Sequence, residues 1–208
     1  MKIRKIVLAS QSPRRIEIME WLNIKFDISP NSFDESSIRH KSPLTLTRLL
    51  AEAKANSVTR LYPNSIIIGA DALVSFEDKI LEKPKNETDQ KQLINMQIGR
   101  DGKVCCSVCV IDTYSGQKII KSKITKYKMA RVSEYQIEKY IKSGQGMDKA
   151  GGFGLQDSNH LFIDKLNGCY SNALGMPICE LANILTSMGV SIGVNIKEVV
   201  KQKTGKLC

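Results

Sequence analysis

Apolar positions along this chain alternate between a period of two and a period near 3.6, and the switches divide it into strands and helices. Residues 3–9 (IRKIVLA) predict a short strand, followed by Ile16, Met19 and Leu22 at helical spacing. Ser12 stands at the N-cap of that helix and Pro13 at its first position. Residues 25–29 predict a second strand, 30–43 a polar loop, and 44–61 a helix with Leu46, Leu49, Leu50, Ala53 and Val58 on one side. Residues 65–76 are β-branched and apolar, a strand that a tight turn at Glu77 and Asp78 pairs with 79–81. Strands recur at 104–112 and 118–129, joined by a turn at 113–116, and helices are predicted over 88–96, 133–143 and 177–188. A glycine-rich stretch, 144–154, and a strand at 160–165 fill the gap before the last of these. The Lys-rich tail, 193–208, is weakly patterned, a frayed helix at most. Alternating strands and helices with at least one hairpin predict an α/β fold on a mixed sheet.

The chain has 208 residues, 42% of them apolar and 25% charged, which suits one globular domain of two lobes spanning 1–208 and excludes intrinsic disorder. The longest apolar stretch, 65–76, is broken by Gly69 and Asp71 and falls short of the roughly 20 residues of a membrane helix. No membrane association is expected. The N-terminus lacks the long apolar core of a signal peptide, so a cytoplasmic location is expected. A net charge of +10 favours acidic partners, yet the excess is spread along the chain: 11 basic and 6 acidic groups in 1–60, 11 and 8 in 61–130, 9 and 7 in 131–208. The densest run, Lys118, Lys121, Lys123, Lys126 and Lys128, lies on a predicted strand and reads as a solvated or edge strand rather than a nucleic-acid surface. Six cysteines in a chain large enough to need no staples fit a reduced protein. Cys106 and Cys109 form a CxxC whose members point to opposite strand faces, with no second pair to complete a zinc site.

Two constellations carry chemistry. In Leu8-Ala-Ser-Gln-Ser-Pro-Arg-Arg15, Arg14 and Arg15 fall on the first helical turn, where the positive end of the macrodipole disfavours them by a few tenths of a kcal/mol, up to ~1. An anion there reverses the sign. Free amides, the hydroxyls of Ser10 and Ser12 and two guanidinium groups suit a phosphate chain. An ordinary helix start with Glu17 compensating a surface Arg pair fits the same residues. Asp71, in IIIGADALVSF, interrupts an apolar strand and must meet a cation, a metal or an open edge, or be a structural acid satisfied by its neighbours. Gly69 and Ala70 leave room beside it. Asp34, Glu35, Lys54, Lys83, Asp148 and Lys149 are each ordinary surface residues alone. Together they supply carboxylates for a hard divalent metal and cations for a polyphosphate.

LASQSPRR near the N-terminus, FDE at 33–35, EAKA at 52–55, GAD at 69–71, ILEKP at 80–84, DKAGGFGLQ at 148–156 and GCYSNALGMP at 168–177 resemble the Maf family of nucleoside triphosphate pyrophosphatases. The motifs stand in the family's order and cover nearly the whole chain to about residue 188. The resemblance implies a long twisted mixed sheet with flanking helices and two lobes around a cleft, a fold related to inosine triphosphate pyrophosphatase. It implies hydrolysis of a nucleoside triphosphate to the monophosphate and pyrophosphate, with a divalent cation, Mg2+ or Mn2+, and often a homodimer. By the same resemblance Asp71 matches the catalytic acid that takes the proton of the attacking water, and Glu35 a second acid near the metal. Ser10, Arg14, Arg15, Lys54 and Lys83 match the groups around the triphosphate.

Three matched positions bear on the base. The branch acting on dTTP and UTP has consecutive arginines after the proline, Thr after the catalytic Asp and Gln after the AGG segment, while the 7-methyl-GTP branch has Trp, Gln and Glu. This chain has Arg14, Ala72 and Gln156, so two of three match the pyrimidine branch and Ala72 matches neither. The segment from Gly102 to Cys106 departs from the His and Thr that the family often shows there. The competing expectations are a house-cleaning pyrophosphatase for other non-canonical nucleotides and a nucleotide-binding regulator of cell division.

Overall fold

The structure is a computed structural model that describes residues 4–31, 33–157 and 161–206. The strands are β1 (Lys5–Leu8), β2 (Asp27–Ile28), β3 (Ser65–Phe76), β4 (Lys79–Leu81), β5 (Asp101–Asp112), β6 (Lys118–Met129) and β7 (Ile163–Asn167). The helices are α1 (Pro13–Glu20), α2 (Pro43–Asn56), α3 (Glu87–Gln97), α4 (Glu134–Lys142), α5 (Tyr170–Ala173), α6 (Ile178–Ser187) and α7 (Ile196–Thr204). One mixed sheet runs in the order β2-β1-β3-β5-β6-β7, with β4 paired to β3. β1 is parallel to both β2 and β3, while β3–β4 and β6–β7 are antiparallel. The α/β class on a mixed sheet is as predicted, and the Glu77–Asp78 turn has both residues in the left-handed region (φ 47° and 61°), as a two-residue hairpin demands.

The chain divides into two compact units. The first holds the described residues up to 72, 105–123 and those from 169 onward; the second holds 73–104 and the described residues of 124–168. In the first unit, strand alternation sorts apolar side chains onto two faces. Ile6, Leu8, Ile66, Ile68, Ala70, Val108 and Val110 pack with Ile18 and Met19 of α1, Leu181 and Leu185 of α6, and Val200 of α7. Val7, Ala9, Ile67, Cys109 and Ile111 pack with Ala51 and Ala55 of α2. Strands covered on both faces read as unbroken apolar runs, which is why 65–76 looks so greasy in sequence. In the second unit, Phe153 and Phe162 join Tyr127 and Tyr140 in a cluster of edge-on and tilted rings.

Several local expectations are corrected. The helix predicted over 44–61 ends at Asn56, because the Ser57 and Thr59 hydroxyls donate to the Lys54 and Asn56 carbonyls (2.8 and 2.9 Å) and compete with a further helical turn. A 3-10 turn follows at Thr59–Leu61. Ser12 is the N-cap of α1, yet its side chain makes no capping bond; the Ser12 amide donates instead to Ser10 Oγ (3.2 Å). The short helix α5 has no apolar pattern in the sequence that predicts it. Within the tail, Ile196–Thr204 is helical and ends at Gly205 in the left-handed conformation. The strand expected at 160–165 is displaced to Ile163–Asn167, and His160 lies outside the described residues. Cys105, Cys106, Cys109 and Cys179 are free thiols, whereas Cys169 is disulfide-bonded, against the expectation of a fully reduced set. The five lysines of β6 are all exposed while Thr125, Tyr127 and Met129 between them are buried, as a half-solvated strand requires. Among the described residues no helix is long and apolar enough to cross a membrane.

Gly69 sets the separation of α2 from the sheet. A Cβ placed on it would lie 2.3 Å from the Ala51 carbonyl oxygen and 2.6 Å from the Ala55 nitrogen, both backbone atoms that no side-chain rotation can move. Gly69→Ala is expected to lower stability by about 3 kcal/mol, measured by urea denaturation. A loss below ~1 kcal/mol would mean that α2 can back away from β3 freely.

Candidate functional site

β1 and β3 run parallel, with Leu8 beside Ile68, so the segments that leave their C-terminal ends emerge on the same side of the first unit. From β1 the chain passes through Ser10, which is buried and whose hydroxyl holds the turn into α1. Arg14 and Arg15 then occupy the first helical turn, which itself holds no acidic residue. Arg15 is fastened in place: its Nε donates to the Gly175 carbonyl oxygen at 3.2 Å, and its Nη2 lies 3.9 Å from Asp71 Oδ1. Arg14, half-buried, flanks it.

Asp71 is only 4% exposed, on the strand face that α2 covers. Lys54, equally buried, reaches it from α2 and donates from Nζ to Asp71 Oδ1 at 2.6 Å. The same Nζ stands 2.9 Å from Glu35 Oε1, so one ammonium bridges two carboxylates. Glu35 opens a 3-10 turn, Glu35–Ser37, whose N-cap Asp34 accepts from the Ser36 amide and hydroxyl, both at 2.9 Å. Its side chain remains 55% exposed. A second polar contact anchors the start of α2: Thr47 Oγ1 and Ser107 Oγ are 2.8 Å apart, and Ser107 Oγ is 2.8 Å from Ser122 Oγ.

The electrostatics of Asp71 are a contest. Burial pushes its pKa up, Lys54 and Arg15 pull it down, and the neighbouring Glu35 charge adds to the upward side; the net direction is upward. Asp71 Oδ2 is buried and has no hydrogen-bond partner. A carboxylate with one oxygen held by cations and the other free can take a proton or accept a metal. The nearby Cys106 thiol is driven far up by burial and stays protonated, and Cys109 is pushed up to about 12 for the same reason, so neither is a nucleophile. Among the described residues no group of three or more His, Cys, Asp and Glu side chains could hold a metal ion.

Of the residues singled out in the sequence, Arg15, Glu35, Lys54 and Asp71 form this one charged cluster, and Ser10 and Arg14 belong to the turn and helix start beside it. Ala72 follows Asp71 and faces Gly175, where an added Cβ would come 4.0 Å from that of Ala72. Lys83 and Gln156 belong to the second unit. Lys83 is exposed on the segment after β4, and Gln156 is exposed directly after the buried residues 151–155. Missed from the sequence was the Gly175 carbonyl that orients Arg15. Its only signal was a glycine inside GCYSNALGMP, which has φ 117°, a conformation closed to other residues.

Residues 5–188 match the family described as Maf-like protein. A dTTP/UTP pyrophosphatase from Desulforamulus reducens is 36% identical over 190 residues, covering 91% of this chain and 100% of the relative. A protein of the same name from Clostridium botulinum strain Kyoto is 37% identical over 194 residues, again covering 91% of this chain and 100% of its own. A solved HAM1 protein from Coxiella burnetii aligns with a TM-score of 0.44 and 12% identity, over 89% of this chain and 100% of its own. With a match that spans almost all of its folded length and relatives above a third identical end to end, this chain belongs to the Maf family.

Proposed function

We propose that this protein hydrolyses dTTP and UTP to the nucleoside monophosphate and pyrophosphate, with Asp71 as the group that receives the proton of the attacking water. The observation that carries this is the buried Asp71 carboxylate, bound through Oδ1 by Lys54 and unpartnered at Oδ2. The relatives' names and the family resemblance at Arg14 and Gln156 support pyrimidine triphosphates as the substrate.

In this reading Lys54 and Arg15 orient Asp71, and their positive charge opposes the upward push that burial gives its pKa. Arg14, Ser10 and the amides at the start of α1 bind phosphate oxygens, where the helix dipole favours negative charge. Lys83 takes a further phosphate by resemblance. Such contacts hold the leaving pyrophosphate in line and offset the charge that builds on it, which is most of what a phosphoryl-transfer site must do. The donor set also fits a hard divalent cation. Asp71 Oδ2, buried without a hydrogen-bond partner, and the exposed Glu35 carboxylate would be its protein ligands, with phosphate and water filling the other positions, as Mg2+ prefers. Bound there, Mg2+ or Mn2+ would polarise the phosphate and acidify water.

Asp71→Asn preserves the side-chain shape and removes the base. Pyrophosphate release from dTTP is expected to fall by roughly a hundred- to ten-thousand-fold, with an unchanged circular dichroism spectrum. Activity within a factor of about two of the parent would exclude Asp71 as the base.

Ala72→Thr places a hydroxyl beside Asp71 at a strand position that tolerates β-branching. Its kcat/KM for dTTP and UTP is expected to rise roughly tenfold, the worth of one hydrogen bond to a charged group, with no new activity on 7-methyl-GTP. A folded variant slower on every nucleotide would mean that the surroundings of residue 72 are built around alanine.

A further inference from the structure

Two glutamines of the second unit, Gln90 and Gln97, are fully buried on α3 and lie seven residues apart, hence on one face with Ile94 between them. Gln90 Nε2 donates to the carbonyl oxygens of Gln145 (2.7 Å) and Gly152 (2.9 Å). Gln97 Nε2 donates to those of Leu93 (2.7 Å) and Gly151 (2.9 Å). The Tyr127 hydroxyl donates to Gln97 Oε1 at 2.6 Å, which fixes the way that amide faces. Three of these four acceptors belong to the glycine-rich segment.

That segment fits the glutamines closely. Gly146, Gly151 and Gly152 have φ of 85°, 79° and 82°, and a Cβ on Gly146 would fall 2.6 Å from Gln90 Nε2, one on Gly152 3.2 Å from Gln90 Cγ. Further on, the Gly154 amide donates to the Tyr140 hydroxyl (3.3 Å), which itself donates to Asp157 Oδ2 (2.6 Å). Between residues 151 and 157 the only exposed residue is Gln156, so it projects from a backbone tied down on both sides. Core stability alone does not explain the amides. A methionine would fill the same space but could not hold the carbonyls of 145–152, and Gln90 Oε1 is buried with no hydrogen-bond partner, which costs stability, so the amides serve the segment they hold more than the bulk of the core.

We propose that Gln90 and Gln97 are positioning residues that clamp the backbone of 145–152, hold Gln156 in one orientation and thereby set the discrimination between nucleobases. This rests on the reading above, in which Gln156 belongs to the residues that select pyrimidines. A side-chain amide can tell the 4-carbonyl of a thymine or uracil ring from the 4-amino group of cytosine only if its own donor and acceptor ends are held fixed.

The test uses the full chain and steady-state kinetics on dTTP, UTP and dCTP for the parent, Gln97→Met, Gln156→Ala and the double variant. Gln97→Met is expected to reduce the preference for dTTP over dCTP roughly tenfold, through KM more than kcat. In the Gln156→Ala background the same change is expected to have no further effect on the preference. Tyr127→Phe, which loosens only the Gln97 amide, is expected to give a smaller shift of the same sign, and it decides the matter if Gln97→Met does not fold. An equal slowing on all nucleotides, or a loss of preference that persists in full without Gln156, overturns the clamp while leaving the pyrophosphatase reading intact. If Gln156→Ala itself leaves the preference unchanged, the base-selecting role of Gln156 falls and the clamp's role in specificity with it.

Discussion

A carboxylate cannot sit charged in the middle of a covered strand without a cation, and in this protein the cation arrives on a helix. Lys54 reaches Asp71 only because α2 lies against β3 with backbone almost touching backbone at Gly69. Any side chain at residue 69 would push the helix outward and draw the ammonium away from its partner. Breaking a buried pair by losing one member typically costs about 3 to 5 kcal/mol, more than most packing defects. The glycine in GAD and the lysine in EAKA are therefore parts of a single requirement. Arg15 enters from a different element, held by the Gly175 carbonyl, so that α2, β3, α1 and the turn before α6 are all registered on one carboxylate.

The second unit solves a different problem. Its glycine-rich segment turns through four left-handed positions, which exposes carbonyl groups that neither helix nor sheet can pair. Glutamines serve here because a primary amide has two donors on a side chain long enough to reach across from a helix, and no charge to desolvate. The aromatic cluster of Tyr127, Tyr140, Phe153 and Phe162 then supplies both apolar bulk and the hydroxyls that close the network.

Much of this fold is legible in the amino-acid sequence. The apolar periods locate β1, β3, β5, β6 and the longer helices to within a few residues, since strands covered on both faces and amphipathic helices leave strong patterns. Asp71 stood out because an acid has no business in a β-branched run unless something answers it. Less legible were features decided by side chain to backbone bonds, such as the early end of α2 at Asn56 and the unused Ser12 cap, because hydroxyls compete locally with the helix and their choice depends on neighbours. The partners of Asp71 could be named from the family motifs but not ranked. The fact that one ammonium serves both Asp71 and Glu35 is a matter of three-dimensional distance alone. Gln90 and Gln97 were illegible altogether, since two polar residues on a helix look like a solvated face until the structure shows them buried.

In the reaction proposed above, water deprotonated at Asp71 attacks the α-phosphorus of a pyrimidine nucleoside triphosphate. Hydrolysis of dTTP by the intact protein in 18O-labelled water, with the products separated and weighed by mass spectrometry, tests it most directly. Attack at the α-phosphorus puts one labelled oxygen in the monophosphate and none in the pyrophosphate. Label in the pyrophosphate, or release of inorganic phosphate in place of pyrophosphate, would contradict it.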